Sequence, residues 1–165
     1  MKILELEIEG FRSLKHIADW QPGDLNVVIG PNGSGKSNLL RVLELLAVSA
    51  QGGLGKLVQS SGGMEPLLWD GAAEAMRFKV KCSASEILKV PDRDSLTYEL
   101  RLDRFGKSGE YRIGYELLGN YSKVEQKRER EPMKYLERQG LRAWIFDPQR
   151  RQLVAPEENV PLLET

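Results

Sequence analysis

Between Leu4 and Ile8 the apolar residues alternate with Glu5, Glu7 and Glu9, the period of two that marks a half-buried strand. Gly10 ends it, residues 11–21 read as a second short strand, and Pro22-Gly23-Asp24 reads as a turn. Residues 25–29, LNVVI, are an unbroken apolar run, which predicts a strand covered on both faces. That run leads directly into a glycine-rich turn at 30–37. Beyond it Leu39, Leu40, Leu43, Leu46 and Ala47 recur at helical spacing, so a helix should pack one face onto a sheet and fade near Ala50.

The stretch QGGLGKLVQSSGG (51–63) is rich in glycine and serine and predicts an irregular, exposed loop. The period then changes. Met76, Phe78, Val80 and Cys82 alternate with Arg77, Lys79 and Lys81, and Leu96, Tyr98, Leu100 and Leu102 alternate with Thr97, Glu99, Arg101 and Asp103. A GKSG turn (106–109) leads into Tyr111, Ile113, Tyr115 and Leu117, which predicts an antiparallel hairpin within a larger meander. Residues 120–139 are densely charged, and read as a solvated helix broken at Pro132 or as a partly disordered insertion. LRAWIF (141–146) is a last apolar strand, stopped by Asp147-Pro148. The expected organisation is one α/β domain over 1–165: a strand–helix core (1–50), a glycine-rich loop (51–75), an antiparallel β lobe (76–148) holding the charged insertion, and a tail (149–165).

Composition narrows the function classes. A chain of 165 residues, 41% hydrophobic and 29% charged, is the size and balance of one globular core. No apolar run approaches the roughly 20 residues of a membrane span, and the alternating N-terminus is unlike a secretory signal, so a cytoplasmic protein is expected. Cys82 is the single cysteine and His16 the single histidine, which excludes an internal disulfide and the usual Cys/His metal constellations. Lysine plus arginine equal aspartate plus glutamate at 24 each, so no global basic field draws in nucleic acid, and a DNA contact would need a local patch. Arg77, Lys79, Lys81, Arg101, Arg104 and Arg112 form one such strand-borne set; a solvated face paired with Glu99, Asp103 and Glu116 is the favoured reading.

The glycine-rich turn carries the chemistry. Gly30-Pro31-Asn32-Gly33-Ser34-Gly35-Lys36-Ser37 satisfies G-x-x-x-x-G-K-[ST] in full, between a predicted strand and a predicted helix. Triphosphate oxygens are best held by several backbone N–H groups converging on one point, and glycine lets the backbone wrap that closely. The helix start adds unpaired N–H groups and the positive end of its dipole. Lys36 would reach the β and γ phosphates and stabilise their charge, and the Ser37 hydroxyl would bind Mg²⁺.

IEGFRSLKHI followed by LNVVIGPNGSGKSNLLRVLELL resembles the opening of ABC-type P-loop ATPases of the SMC, RecF and OLD-like group, proteins of chromosome maintenance, DNA repair and phage defence. Phe11, Arg12, Ser13 and Leu14 match that group's F-[RK]-[SN]-[FL] element, and Asn32 and Asn38 match the two extra asparagines of its P-loop. The likeness is specific over residues 1–47 and loose over 64–155. It implies the N-terminal lobe of an ABC-ATPase head, with a mixed sheet, the P-loop helix and an antiparallel β subdomain. It also implies ATP and Mg²⁺ as ligands, Arg12 and Ser13 beside the nucleotide, and a glutamine after the β lobe that senses the γ-phosphate through Mg²⁺. Gln149 is best placed for that role and Gln152 next. DNA and a second head of the same kind are the implied partners. Transporter ATPase subunits share the fold but usually follow the Ser/Thr with another hydroxyl residue, where this chain has Asn38. A non-catalytic nucleotide-binding interaction module is the third reading.

Two parts of such an ATPase are imitated rather than present. SSGGM (60–64) looks like a signature motif, but it precedes the β lobe and reads better as a loop. AWIFD (143–147) looks like a Walker B strand ending in the Mg²⁺ ligand Asp147, but Pro148 stands where the water-polarising glutamate belongs, and a strand ending in an Asp-Pro turn is the favoured reading. The general base is therefore expected outside this sequence. Hydrolysis would need a C-terminal half and dimerisation, and this chain alone is expected to bind ATP weakly without turning it over.

Overall fold

In a computed structural model of the protein the described residues are 2–83, 95–106, 109–120, 133–150 and 152–155. The chain opens with strands β1 (Ile3–Phe11) and β2 (Leu14–Trp20), joined by a turn at Arg12-Ser13. Helices α1 (Lys36–Ala50) and α2 (Leu54–Ser60) follow, then two short 3₁₀ turns at Glu65–Leu67 and Trp69–Gly71. The remaining strands are β3 (Ala75–Ser83), β4 (Ser95–Phe105), β5 (Glu110–Asn120), β6 (Met133–Gln139), β7 (Arg142–Asp147) and β8 (Gln152–Val154). The described strands form an eight-stranded sheet in the order β2-β1-β3-β4-β5-β6-β7-β8, antiparallel at every step.

The period-two pattern explains why these strands bury one face. Leu6 and Ile8 of β1 face the same side as Met76 and Phe78 of β3 and Leu100 and Leu102 of β4, and all six are buried. Onto them pack Val42 and Leu45 of α1 and Leu54 and Val58 of α2, giving one core between sheet and helices. Phe11 and Phe78 meet edge to face there, ring centroids 5.6 Å apart.

Four expectations are corrected. Residues 25–29 join no ladder and stand exposed, Leu25 at 84%, Val27 at 78% and Ile29 at 91%, so the both-faces-covered strand is not formed among the described residues. The expected mixed sheet is for that reason antiparallel throughout. The stretch 51–63 is not irregular throughout. Leu54, Leu57 and Val58 recur at helical spacing, and their burial against the core outweighs the cost of Gly55 in making α2. Within the charged stretch 120–139, residues 133–139 are strand β6, and 121–132, with Pro132, lie outside the described residues. Charge does not prevent that strand because its charges are answered: Lys134 Nζ lies 3.0 Å from Glu137, and Arg138 Nε 3.3 Å from Glu116. Leu136, between Leu118 and Ile145, supplies the apolar contact.

Candidate functional site

The glycine turn ends where α1 begins, and its geometry follows from three glycines. Gly35 caps the helix at φ 94°, ψ 5°, and Gly33 lies at φ 85°, in the left-handed region that favours glycine. A Cβ on Gly35 would come within 2.5 Å of Ser13 Oγ and 3.0 Å of Leu14, so the β1–β2 turn leans directly on the loop. A Cβ on Gly30 would come within 2.8 Å of Ser34 Oγ, so the loop also closes on itself. The Ser34 N–H donates to Pro31 O at 3.3 Å, and the Asn38 N–H to Gly35 O at 2.9 Å.

The site is electropositive by construction. No acidic residue stands in the first turn of α1 and no side chain caps it, so the end of the helix dipole is left for an outside anion. The Lys36 ammonium adds a full charge, held over the loop by donating to Gly30 O at 2.8 Å and Pro31 O at 2.7 Å. Ser37 is exposed beside it. Asn38 Nδ2 donates to Ser13 Oγ at 2.8 Å, which ties the β1–β2 turn to α1.

Arg12, which the resemblance sets beside the nucleotide, lies in the β1–β2 turn next to Ser13. Its backbone takes the left-handed region at φ 48°, and its N–H donates to Leu67 O at 2.9 Å. Its guanidinium carbon lies 5.8 Å from the Phe11 ring centroid, and the side chain lines a recess of about 280 Å³ shared with Arg41, Glu44, Ser60 and Ser61. Burial and then the neighbouring Arg41 charge lower the Arg12 pKa. Its Nε is buried without a hydrogen-bond partner among the described residues. Arg12 thus meets α1 further along than Lys36.

Asp147 and Gln149 lie near the other edge of the sheet: Asp147 ends β7, five places along the strand order from β1. Its Oδ1 accepts from the Gln149 N–H at 2.8 Å and the Arg150 N–H at 3.2 Å, a turn closed on its own backbone. Gln152 begins β8 on the same edge. SSGGM is a docking turn: Gly62 and Gly63 lie at φ 85° and 97°, and the Met64 N–H donates to Gly109 O at 2.8 Å, fastening it to the β4–β5 hairpin.

On the sheet face away from the helices Arg77, Lys79 and Arg101 are paired. Arg77 Nη1 lies 3.6 Å from Glu9, Lys79 Nζ 2.8 Å from Glu7 and 3.6 Å from Glu5, and Arg101 Nε 2.5 Å from Asp103. The carboxylates of Glu5, Glu7 and Asp19 gather closely, with Lys79 already among them. Burial alone would lower the Lys79 pKa, but the Glu7 hydrogen bond and the surrounding carboxylates raise it overall.

The sequence reading missed two features. Lys15 stands over the Trp69 ring, 4.9 Å from its centroid, and Arg41 stands opposite Arg12. Both depend on the β1–β2 turn passing beside α1 and the 3₁₀ turns, contacts between positions far apart in the chain.

Residues 25–157 match the family described as "AAA domain, putative AbiEii toxin, Type IV TA system". No curated protein matches the chain. In three dimensions the chain resembles a structure solved in work on the structural biochemistry of ATP-driven dimerisation and DNA-stimulated activation of SMC ATPases. The TM-score is 0.51 at 21% identity, over 76% of this chain and 75% of that one. At that identity the likeness speaks for the fold alone. Among the described residues no helix is long and apolar enough to cross a membrane.

Proposed function

The chain belongs to the AAA-domain family, and on that premise we propose that it is the nucleotide-binding lobe of an SMC/RecF/OLD-like ATPase that takes MgATP on residues 30–38. The observation that carries this reading is the left-handed glycine loop closing on Lys36 at an unneutralised helix start. Backbone N–H groups of Gly33 and Gly35 with the Lys36 ammonium bind and orient the β and γ phosphates, and Asn32 flanks them. Ser37 offers its hydroxyl to Mg²⁺, which when bound neutralises developing charge on the transferred phosphoryl group. Asn38 and Ser13, already hydrogen-bonded to each other, hold the β1–β2 turn against the loop.

Turnover belongs to a larger assembly. The apolar run at 25–29 joins no ladder and stands exposed, and further sequence packed onto it would cover Leu25, Val27 and Ile29. In our reading that sequence comes from a C-terminal half that carries the Walker B acid pair and the signature, and a second head closes over the nucleotide. The ATP-driven dimerisation and DNA stimulation described for the SMC structure suggest a role coupled to DNA, in chromosome maintenance, repair or phage defence. The family's description as a putative toxin component agrees best with defence.

The test is nucleotide binding by titration calorimetry. Wild type binds MgATP and Lys36→Ala loses at least tenfold in affinity, the loss expected when a charge-assisted phosphate contact of about 1.5–3 kcal/mol is removed. Equal affinities would overturn the reading. The chain alone shows no turnover; ATP hydrolysis that Lys36→Ala abolishes would refute the need for a second half.

A further inference from the structure

The recess beside the β1–β2 turn holds two arginines that no acid answers. Its floor is apolar, made by Phe11, Leu67 and Leu45 of α1, all buried, and its rim carries Arg12, Arg41, Glu44, Ser60 and Ser61. Arg12 lines it from a fixed turn, its N–H bonded to Leu67 O, and its Nε is buried with no hydrogen-bond partner among the described residues. Among those residues neither guanidinium forms an ion pair, not even with Glu44 on the same rim. The Ser60 and Ser61 hydroxyls donate to Leu57 O at 2.9 and 2.8 Å, so they are spent on the end of α2.

Two full positive charges thus stand side by side. Burial, and then the Arg41 charge, lower the Arg12 pKa, which reflects the cost of that arrangement. Arg77, Arg101, Arg104, Arg112 and Arg138 each face a carboxylate, so an unanswered pair departs from the rest of the molecule. A guanidinium fork matches the oxygens of a phosphate, and a tetrahedral oxyanion can present oxygens to two forks at once.

Size and position narrow the ligand. A recess of about 280 Å³ lies below the roughly 300–1,000 Å³ of pockets that take drug-sized ligands, so it admits a small anion and not a nucleoside triphosphate. None of residues 30–38 lines it. Arg41 stands five residues past Lys36 on α1, about 7.5 Å along the axis. Arg41 and Glu44 are exposed, so the rim is open to an ion from solvent.

We infer that this recess is a second anion site, independent of the glycine loop: Arg12 and Arg41 together hold a compact dianion, inorganic phosphate or the phosphate group of a small monoester. Arg12 Nε is one donor, and Arg41 supplies the other fork. Glu44 on the rim disfavours anything more highly charged, such as a di- or triphosphate chain.

The experiment titrates the full chain with inorganic phosphate by calorimetry, in a Lys36→Ala background so that the glycine loop does not contribute. Lys36→Ala binds phosphate. Adding Arg41→Gln weakens that binding at least tenfold, the loss expected when a charge-assisted contact is removed, and adding Arg12→Gln does the same. Arg41→Lys, which keeps the charge but not the fork, falls between. Acetate, with a single charge, binds at least tenfold more weakly than phosphate. Phosphate raises the thermal midpoint of Lys36→Ala but not of Lys36→Ala/Arg41→Gln. Without phosphate, Arg41→Gln melts no lower than wild type, because a like-charge neighbour has been removed. Glycerol 3-phosphate bound more tightly than phosphate assigns the recess to monoesters, and weaker binding assigns it to the free ion. The inference is overturned if Lys36→Ala binds no phosphate, or if Arg41→Gln in that background changes nothing. It is overturned equally if Arg41→Gln alone weakens MgATP tenfold, which makes the recess part of the nucleotide site. A wild type that binds phosphate through Arg41 but no MgATP defeats the cradle reading and upholds this one.

Discussion

Gly35 is held at φ 94° with Ser13 Oγ 2.5 Å from where a Cβ would stand. Gly35→Ala therefore meets a left-handed penalty of about 1–2 kcal/mol and pushes the β1–β2 turn off the loop. We expect a lower thermal midpoint together with loss of MgATP binding, read by circular dichroism and calorimetry. Glu99 supplies a pH-dependent test. Burial first, and then the Glu7 charge, push its carboxyl above the usual range, although Lys79 pulls it down. Because its folded pKa is raised, the stability it contributes is full below about pH 4.5 and declines as pH rises through the folded value. Glu99→Gln should accordingly raise the thermal midpoint at pH 7, and the gain should vanish by pH 4. A gain equal at both values would contradict this account. The glycine turn at 30–37 was legible in the sequence because such a turn is specified by local backbone demands at fixed spacing. Lys15 and Trp69 were not legible as a pair, since fifty-odd residues separate them and only folding brings the ring under the ammonium.

At the scale of elements, α1 is anchored at both ends. Its start is the glycine loop, and near its end Ser49 hydrogen-bonds Tyr98 of β4. The Tyr98 hydroxyl donates to Glu116 Oε1 of β5 at 2.9 Å, and Glu116 Oε2 faces Arg138 Nε of β6 at 3.3 Å. Burial, with the Glu116 charge next, holds the Tyr98 phenol well above its ordinary pKa. Glu116 is only 1% exposed, so Glu116→Ala strips partners from a buried hydroxyl and from Arg138 and should cost about 3 kcal/mol. Tyr98→Phe should cost about 1 kcal/mol, and urea melts would rank the two. A milder loss from Glu116→Ala would mean that the network is hydrated. Strands β3, β4 and β5 could be read from alternation alone. The bulge that makes room for Asp103 at Gly114, where a Cβ would stand 2.2 Å from its carboxylate, could not. Nor could α2 and β6, whose glycine content and charge density point elsewhere until burial of Leu54, Val58 and Leu136 and cross-strand ion pairing are counted.

At the scale of the molecule, the antiparallel sheet and two helices of the described residues bury one core, while 25–29 and Leu40 leave apolar side chains in water. Such a strip is a template for strand addition and an association liability. The double substitution Val27→Lys with Ile29→Lys should leave the thermal midpoint nearly unchanged, within about 0.5 kcal/mol of stability, because these side chains are already exposed. It should also reduce self-association at high concentration, measured by sedimentation velocity. A large loss of stability would show that the run is packed in solution.

The sequence by itself determined the glycine turn, the helix behind it, the alternating strands of the β lobe and the kinship implied by Phe11 to Leu14 with Asn32 and Asn38. These features depend on residue type at short, fixed spacing, where backbone conformation and one-sided burial are decided locally. Tertiary structure alone decided that Ser13 leans on Gly35, that Arg12 meets Arg41, that Asp147 falls five strands from β1, and that LNVVI stands uncovered. Each of these is settled by which distant segments pack together, and an apolar run cannot show from its own residues whether a partner is there to cover it.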